Sequence, residues 1–164
     1  MKTLLFLFLL LPLISSGFAA DTVPYFYLTP TDAAKILGQS ALLTLKSEKQ
    51  ERDALKYRCA FTAVESDPVS GETGHVYYNY EQYRSVAAAQ KTYTGILDDN
   101  RRNGNIQLLN NTGDEGFFQS DSNNFQLIMV RKKDKIIRMK VNKVTSTTSL
   151  TALKETVNRI AATL

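Results

Sequence analysis

The chain has 164 residues, a formal net charge of +4, 43% hydrophobic and 10% aromatic residues, one cysteine and one histidine. A positive excess this small, dispersed among acids except in "RKKDK", makes no electrostatic case for nucleic acid. A single Cys and a single His exclude an internal disulfide, a redox pair and any zinc site built from Cys and His alone.

In chain order, Lys2 precedes a run from Leu4 to Ile14 that is apolar throughout and interrupted only by Pro12. Ser15, Ser16 and Gly17 then lead to the small residues Ala19 and Ala20. This is the pattern of a cleaved secretory signal over residues 1–20, and the run is too short for the roughly 20 residues that cross a bilayer. No cysteine at the cleavage region invites a lipid anchor, and no second long apolar run follows. The expected product is a single exported domain, 21–164, periplasmic or secreted and without a membrane span, its charge reduced by the loss of Lys2.

After an extended "TVPYFYL", "TPTDAAKILG" predicts a short helix. Thr29 or Thr31 suits its cap, Pro30 or Asp32 its first turn and Gly38 its end. "ALLTLKSEK" (41–49) and "KYRCAFTAV" (56–64) read as strands with "QERDAL" as the loop between them. The Pro and Gly of "ESDPVSGETG" predict a long turn into the Tyr-rich strand "HVYYNYEQY" (75–83), with Val76, Tyr78 and Tyr80 on one face. From a cap at Ser85, the spacing of Val86, Ala89, Tyr93, Ile96 and Leu97 predicts an amphipathic helix closed by "RRNGN". "IQLLN" is a short strand before the polar loop "NNTGDEG", and "GFFQS", "FQLIMVRK" and "KIIRMKVNK" are three more. In the last, Ile137, Met139 and Val141 alternate with Arg138, Lys140 and Asn142, the mark of one buried and one wetted face. Leu150, Leu153, Val157, Ile160 and Leu164 give the closing helix its stripe, capped by Ser149 or Thr151.

Two halves thus repeat one pattern, antiparallel strands running into an amphipathic helix. The fold class expected is α+β: a single antiparallel sheet of about five to seven strands packed with two or three helices. The polar loop at 110–116 reads as a hinge between the halves.

Candidate chemistry is sparse. His75 is expected as an exposed turn histidine, and Cys59 as a buried strand cysteine. "NNTGDEGFFQSD" lacks the ligand spacing of an EF-hand. Asp98 with Asp99, Asp114 with Glu115, and Asp67 with Glu65 or Glu72 are the carboxylate pairs a hydrolase could use, although neighbours in sequence usually point apart. No phosphate-binding glycine motif occurs. No catalytic, metal or cofactor residue is therefore assigned. A ligand site is expected on the wetted sheet face, at Tyr77 and Asn79 beside Arg138 and Lys140.

The series "LTPTDAAKILG", "YRCAF", "YRSVAAAQKTY", "GDEGFF", "LIMVRKKDKIIRMKV" and "LTALKETVNRIAATL" resembles small exported bacterial domains of the DUF3558 and sensor-domain type. Their fold is similar to the PsbP/Mog1-like sandwich. The resemblance implies a sheet flanked by helices, a cleft or surface for a ligand or partner, and no known catalysis. It transfers no functional residue. The functional expectation is a non-catalytic binding or accessory domain for a small molecule, an envelope component or an envelope protein. The alternatives are a carboxylate-dependent hydrolase of envelope material and a structural subunit of an envelope assembly.

Overall fold

The computed structural model describes residues 28–122 and 124–164. The expected signal at 1–20 and nearly all of the extended lead-in lie outside the described residues. Helix α1 (Pro30–Leu37) begins with a reciprocal cap. Thr29 Oγ1 accepts from the Asp32 amide at 3.1 Å, and Asp32 Oδ2 accepts from the Thr29 amide at 3.0 Å. Two otherwise unpaired donors of the first turn are thereby satisfied. Gly38, at φ 72°, ends the helix.

The strands are β1 (Ala41–Gln50), β2 (Ala54–Ala63), β3 (His75–Tyr83), β4 (Ile106–Leu108), β5 (Glu115–Asp121), β6 (Phe125–Lys132) and β7 (Lys135–Asn142). All pair antiparallel in one open sheet of order β1-β2-β3-β7-β6-β5-β4. Helices α2 (Val86–Asn103) and α3 (Leu150–Thr163) are the remaining elements among the described residues. The expected α+β class holds.

Alternation along the strands divides the sheet into two faces. One carries Tyr57, Cys59 and Phe61, then Val76, Tyr78 and Tyr80, then Ile137, Met139 and Val141, and buries them under α1 and α3. Full burial of a large apolar side chain is worth roughly 1.5–3 kcal/mol, so this layer dominates stability. The opposite face is covered only in part. There α2 lays Ala89, Tyr93 and Leu97 on Phe117, Met129 and Ile136, with Ala54 and Tyr83 at the margin. The hairpin of β6 and β7 also secures α3. Lys132 Nζ donates to the carbonyls of Ala161 at 3.1 Å and Ala162 at 3.4 Å, and Lys135 Nζ to that of Leu164 at 3.2 Å. Cations at this end oppose the negative pole of the helix.

Several expectations need correction. The β1–β2 loop is shorter than "QERDAL", because Ala54 and Leu55 already pair in β2. Val86 is 49% exposed, since a residue at the first helical position overhangs the sheet margin. The repeated pattern is not a repeated packing, for α2 and α3 lie on opposite faces of the sheet. Nor is the loop at 110–116 a hinge between halves. It joins β4 to β5, which pair with each other at the sheet edge, whereas the halves meet where β3 pairs with β7.

Candidate functional site

The paired registers place residues from neighbouring strands in rows across the half-open face. One row reads Leu45, Ala60, Tyr77, Lys140, Leu127. The next reads Ser47, Arg58, Asn79, Arg138, Met129. Tyr77 is thus directly opposite Lys140, and Asn79 opposite Arg138. All four expected site residues form one two-by-two block on the central strands β3 and β7. Each is half-buried. Neighbouring strands lie about 4.8 Å apart and same-face residues about 6.8 Å apart along a strand, so the block is compact enough for one small group to span.

Around the block, polar side chains are held in place by local bonds. Arg138 Nη2 donates to Glu81 Oε1 at 2.5 Å, and the Tyr83 hydroxyl donates to the other oxygen of the same carboxylate. Glu81 is 4% exposed, so its charge is matched at the point where α2 begins to cover the sheet. Burial, followed by the Glu81 carboxylate, pushes the Tyr83 hydroxyl up to about 12, keeping it a neutral donor. Lys140 Nζ lies 4.6 Å from the Phe125 ring centroid. Such cation–π contacts use the ring's negative face and leave the ammonium hydrated. His75 Nδ1 is 2.9 Å from Thr62 Oγ1, which is 3.0 Å from Thr44 Oγ1.

A cleft of 490 Å³ lies where the β1–β2 turn meets α2, and Glu51, Arg52, Asp53, Lys56, Tyr83 and Lys91 contribute to its lining. A smaller depression of 290 Å³ lies between Ser47, Glu48, Lys49, Glu51, Lys56 and Arg58. Lys56 and Arg58 join these hollows to the block, and sequence reasoning missed both. Their signal was available in "KYRCAF", where basic residues alternate with the apolar ones on β2.

The other candidates resolve into structural roles. His75 is not an exposed turn residue but the half-buried first residue of β3. It pairs with Thr62, whereas Cys59 faces the α1/α3 core, so the sheet separates the two. Cys59 is 2% exposed, and burial pushes its thiol up. Asp114 and Glu115 do not point apart: Asp114 Oδ2 lies 3.0 Å from Arg131 Nη1, and Glu115 Oε2 lies 2.6 Å from Arg131 Nε. Arg131 is 6% exposed, so the acidic pair serves to neutralise a buried cation. Asp98 and Asp99 pair with Arg101 and Arg102 on α2. Glu72 pairs with Lys143. Asp67 accepts bonds from the amides of Val69, Ser70 and Ser146. Among the described residues, no group of three or more His, Cys, Asp and Glu could hold a metal ion, and no helix is long and apolar enough to cross a membrane.

No family model, no curated protein and no solved structure matches the chain.

Proposed function

We propose that the chain is an exported binding or accessory domain that receives its ligand on the half of the sheet face α2 leaves open. The observation that carries this reading is the block of Tyr77, Asn79, Arg138 and Lys140. Four side chains of complementary chemistry occupy adjacent positions on the two central strands, on the face that an antiparallel sheet commonly leaves to solvent. A rigid sheet floor fixes such groups better than a loop would. The carboxylate pairs that a hydrolase would need are engaged in ion pairs and turn contacts, which favours binding over catalysis. Export rests on the composition of residues 1–20, and a PsbP-like relationship is supported only by the architecture and the order of motifs.

The test is an amide chemical-shift titration of the isotope-labelled domain with a small-molecule extract of its host's cell envelope. The expected result is a set of shifts centred on Tyr77, Asn79, Arg138 and Lys140 that Asn79→Ala and Tyr77→Ala abolish. Shifts confined to other surfaces, or none, would overturn the proposal.

A second reading, a subunit of an envelope assembly, is favoured by the sheet edge. Leu42, Leu43 and Leu45 of β1 and the neighbouring Val64 are between 46% and 62% exposed. Edge strands usually carry charge or are covered to prevent pairing with another chain. Light scattering after size exclusion distinguishes the two readings, since a monomer at all concentrations counts against self-assembly.

A further inference from the structure

We infer that the ligand of this sheet face is a linear acidic glycan, a chain of sugar rings carrying carboxylate or phosphate groups. The inference rests on the sheet-face reading above and specifies the chemistry of the ligand.

The open face holds five cations, Lys49, Lys56, Arg58, Arg138 and Lys140, across β1, β2 and β7. The acids beside them are Glu48, which lines the same depression as Lys49, Lys56 and Arg58, Glu51, which takes Lys56 at 2.6 Å and Lys49 at 3.5 Å, and Glu81, which takes Arg138 at 2.5 Å. Arg58 and Lys140 have no carboxylate partner among the described residues. The Nε of Arg138 is buried and has no hydrogen-bond partner there either, although its Nη2 is fixed on Glu81. A buried guanidinium donor without an acceptor costs on the order of 1–3 kcal/mol, a cost that an anion removes once the Arg138 side chain turns toward the open face. Arg58 and Arg138 flank Asn79 on adjacent strands, so their Cα atoms are about 10 Å apart, and Lys140 is about 7 Å from Arg138 along β7. Charges distributed at these intervals over a flat floor suit a repeating anion better than a single compact one.

Two neutral residues select the glycan class. Asn79 lies between the two arginines, and its amide, which can donate and accept at once, matches sugar hydroxyls. Tyr77, half-buried in the adjacent row, offers an aromatic surface and a hydroxyl beside the same cations. A single-stranded nucleic acid would call for successive aromatic platforms along its path. The row through Asn79 carries none.

The experiment is isothermal titration of the mature domain with hexagalacturonate and with a phosphorylated mannohexaose. The neutral mannohexaose, poly-glutamate and an oligothymidylate serve as comparisons. The expected result is binding of at least one acidic hexasaccharide that weakens roughly tenfold between about 50 and 200 mM salt. Arg58→Gln and Lys140→Gln should each weaken it about tenfold. Arg58→Lys should recover part of the loss, with unchanged thermal melting throughout. The inference is overturned by failure of both acidic glycans, by equal binding of the neutral one, by tighter binding of poly-glutamate or oligothymidylate, or by indifference to the substitutions. If both acidic glycans fail while the envelope extract still shifts Tyr77 and Asn79, the glycan class falls and the sheet-face reading stands. If neither shifts them, both fall.

Discussion

Asp67 and Ser146, separated by 79 residues, are joined through one carboxylate oxygen that accepts from the Ser146 amide at 2.8 Å and the Ser146 hydroxyl at 2.5 Å. The other oxygen accepts from the amides of Val69 and Ser70 at 2.8 and 2.7 Å. One side chain therefore shapes the long β2–β3 loop and ties it to the segment leading into α3. The Ser146 hydroxyl above all, with the turn amides, holds this carboxyl below its ordinary value of 3.8. A lowered folded-state pKa means that the contribution is complete above pH 3.8 and is lost as pH falls through the folded value. Urea midpoints measured from about pH 7 to pH 2 should fall steeply at the acid end in the native sequence. Asp67→Asn, which turns an amide toward the Ser146 donors, should lower the midpoint at neutral pH and flatten that acid limb. Parallel acid limbs in the two proteins would contradict the assignment.

Arg131 is nearly inaccessible, while Asp114 and Glu115 retain side-chain exposures of 45% and 35%. Replacing the arginine by methionine keeps much of its length but strips Glu115 of its cation and leaves Asp114 only the Lys133 amide, at 2.7 Å. Because those acids can rehydrate, the expected loss is about 2 kcal/mol in urea unfolding, below that of a fully buried pair.

Gly113 and Gly71 test backbone strain against crowding. Their φ angles are 69° and 70°, in the left-handed region. A Cβ on Gly113 would lie 2.5 Å from Val130 Cγ1 and 2.6 Å from the Arg131 carbonyl, whereas one on Gly71 would meet nothing within 4 Å. Gly71→Ala should cost about 1 kcal/mol from conformation alone. Gly113→Ala should cost more, about 2–3 kcal/mol, because the loop before β5 must also draw back from Val130 and Arg131 of β6. Equal losses in thermal unfolding would show that the crowding relaxes freely.

Cys59 should behave as a core residue. With the thiol buried beneath α1 and α3 and its ionisation suppressed, a chromogenic disulfide reagent should react only after denaturant unfolds the domain. Stoichiometric reaction with the native protein within seconds would indicate an accessible thiolate instead.

Much of the fold was legible because its signals are local. The Thr29 cap, the Ser85 and Ser149 caps and the alternation of Ile137, Met139 and Val141 need only their neighbours in sequence to be read. The four-residue block was legible for the same reason: alternation alone separates Tyr77 and Asn79 from Val76 and Tyr78, and Arg138 and Lys140 from the core positions of β7.

The tertiary structure decided everything that depends on pairing and coverage. Strand order brought β3 beside β7, making neighbours of Asn79 and Arg138 although the chain separates them by 59 residues. The placement of α2 covered Met129 and Ile136 yet left Asn79 and Arg138, in the same row as Met129, only half-buried, a choice that no single strand's pattern contains. Burial of Arg131 turned Asp114 and Glu115 from a possible acid pair into counter-ions. Periodicity shows which face of an element is apolar. Only long-range packing fixes what meets that face, and so which polar groups remain available to a ligand.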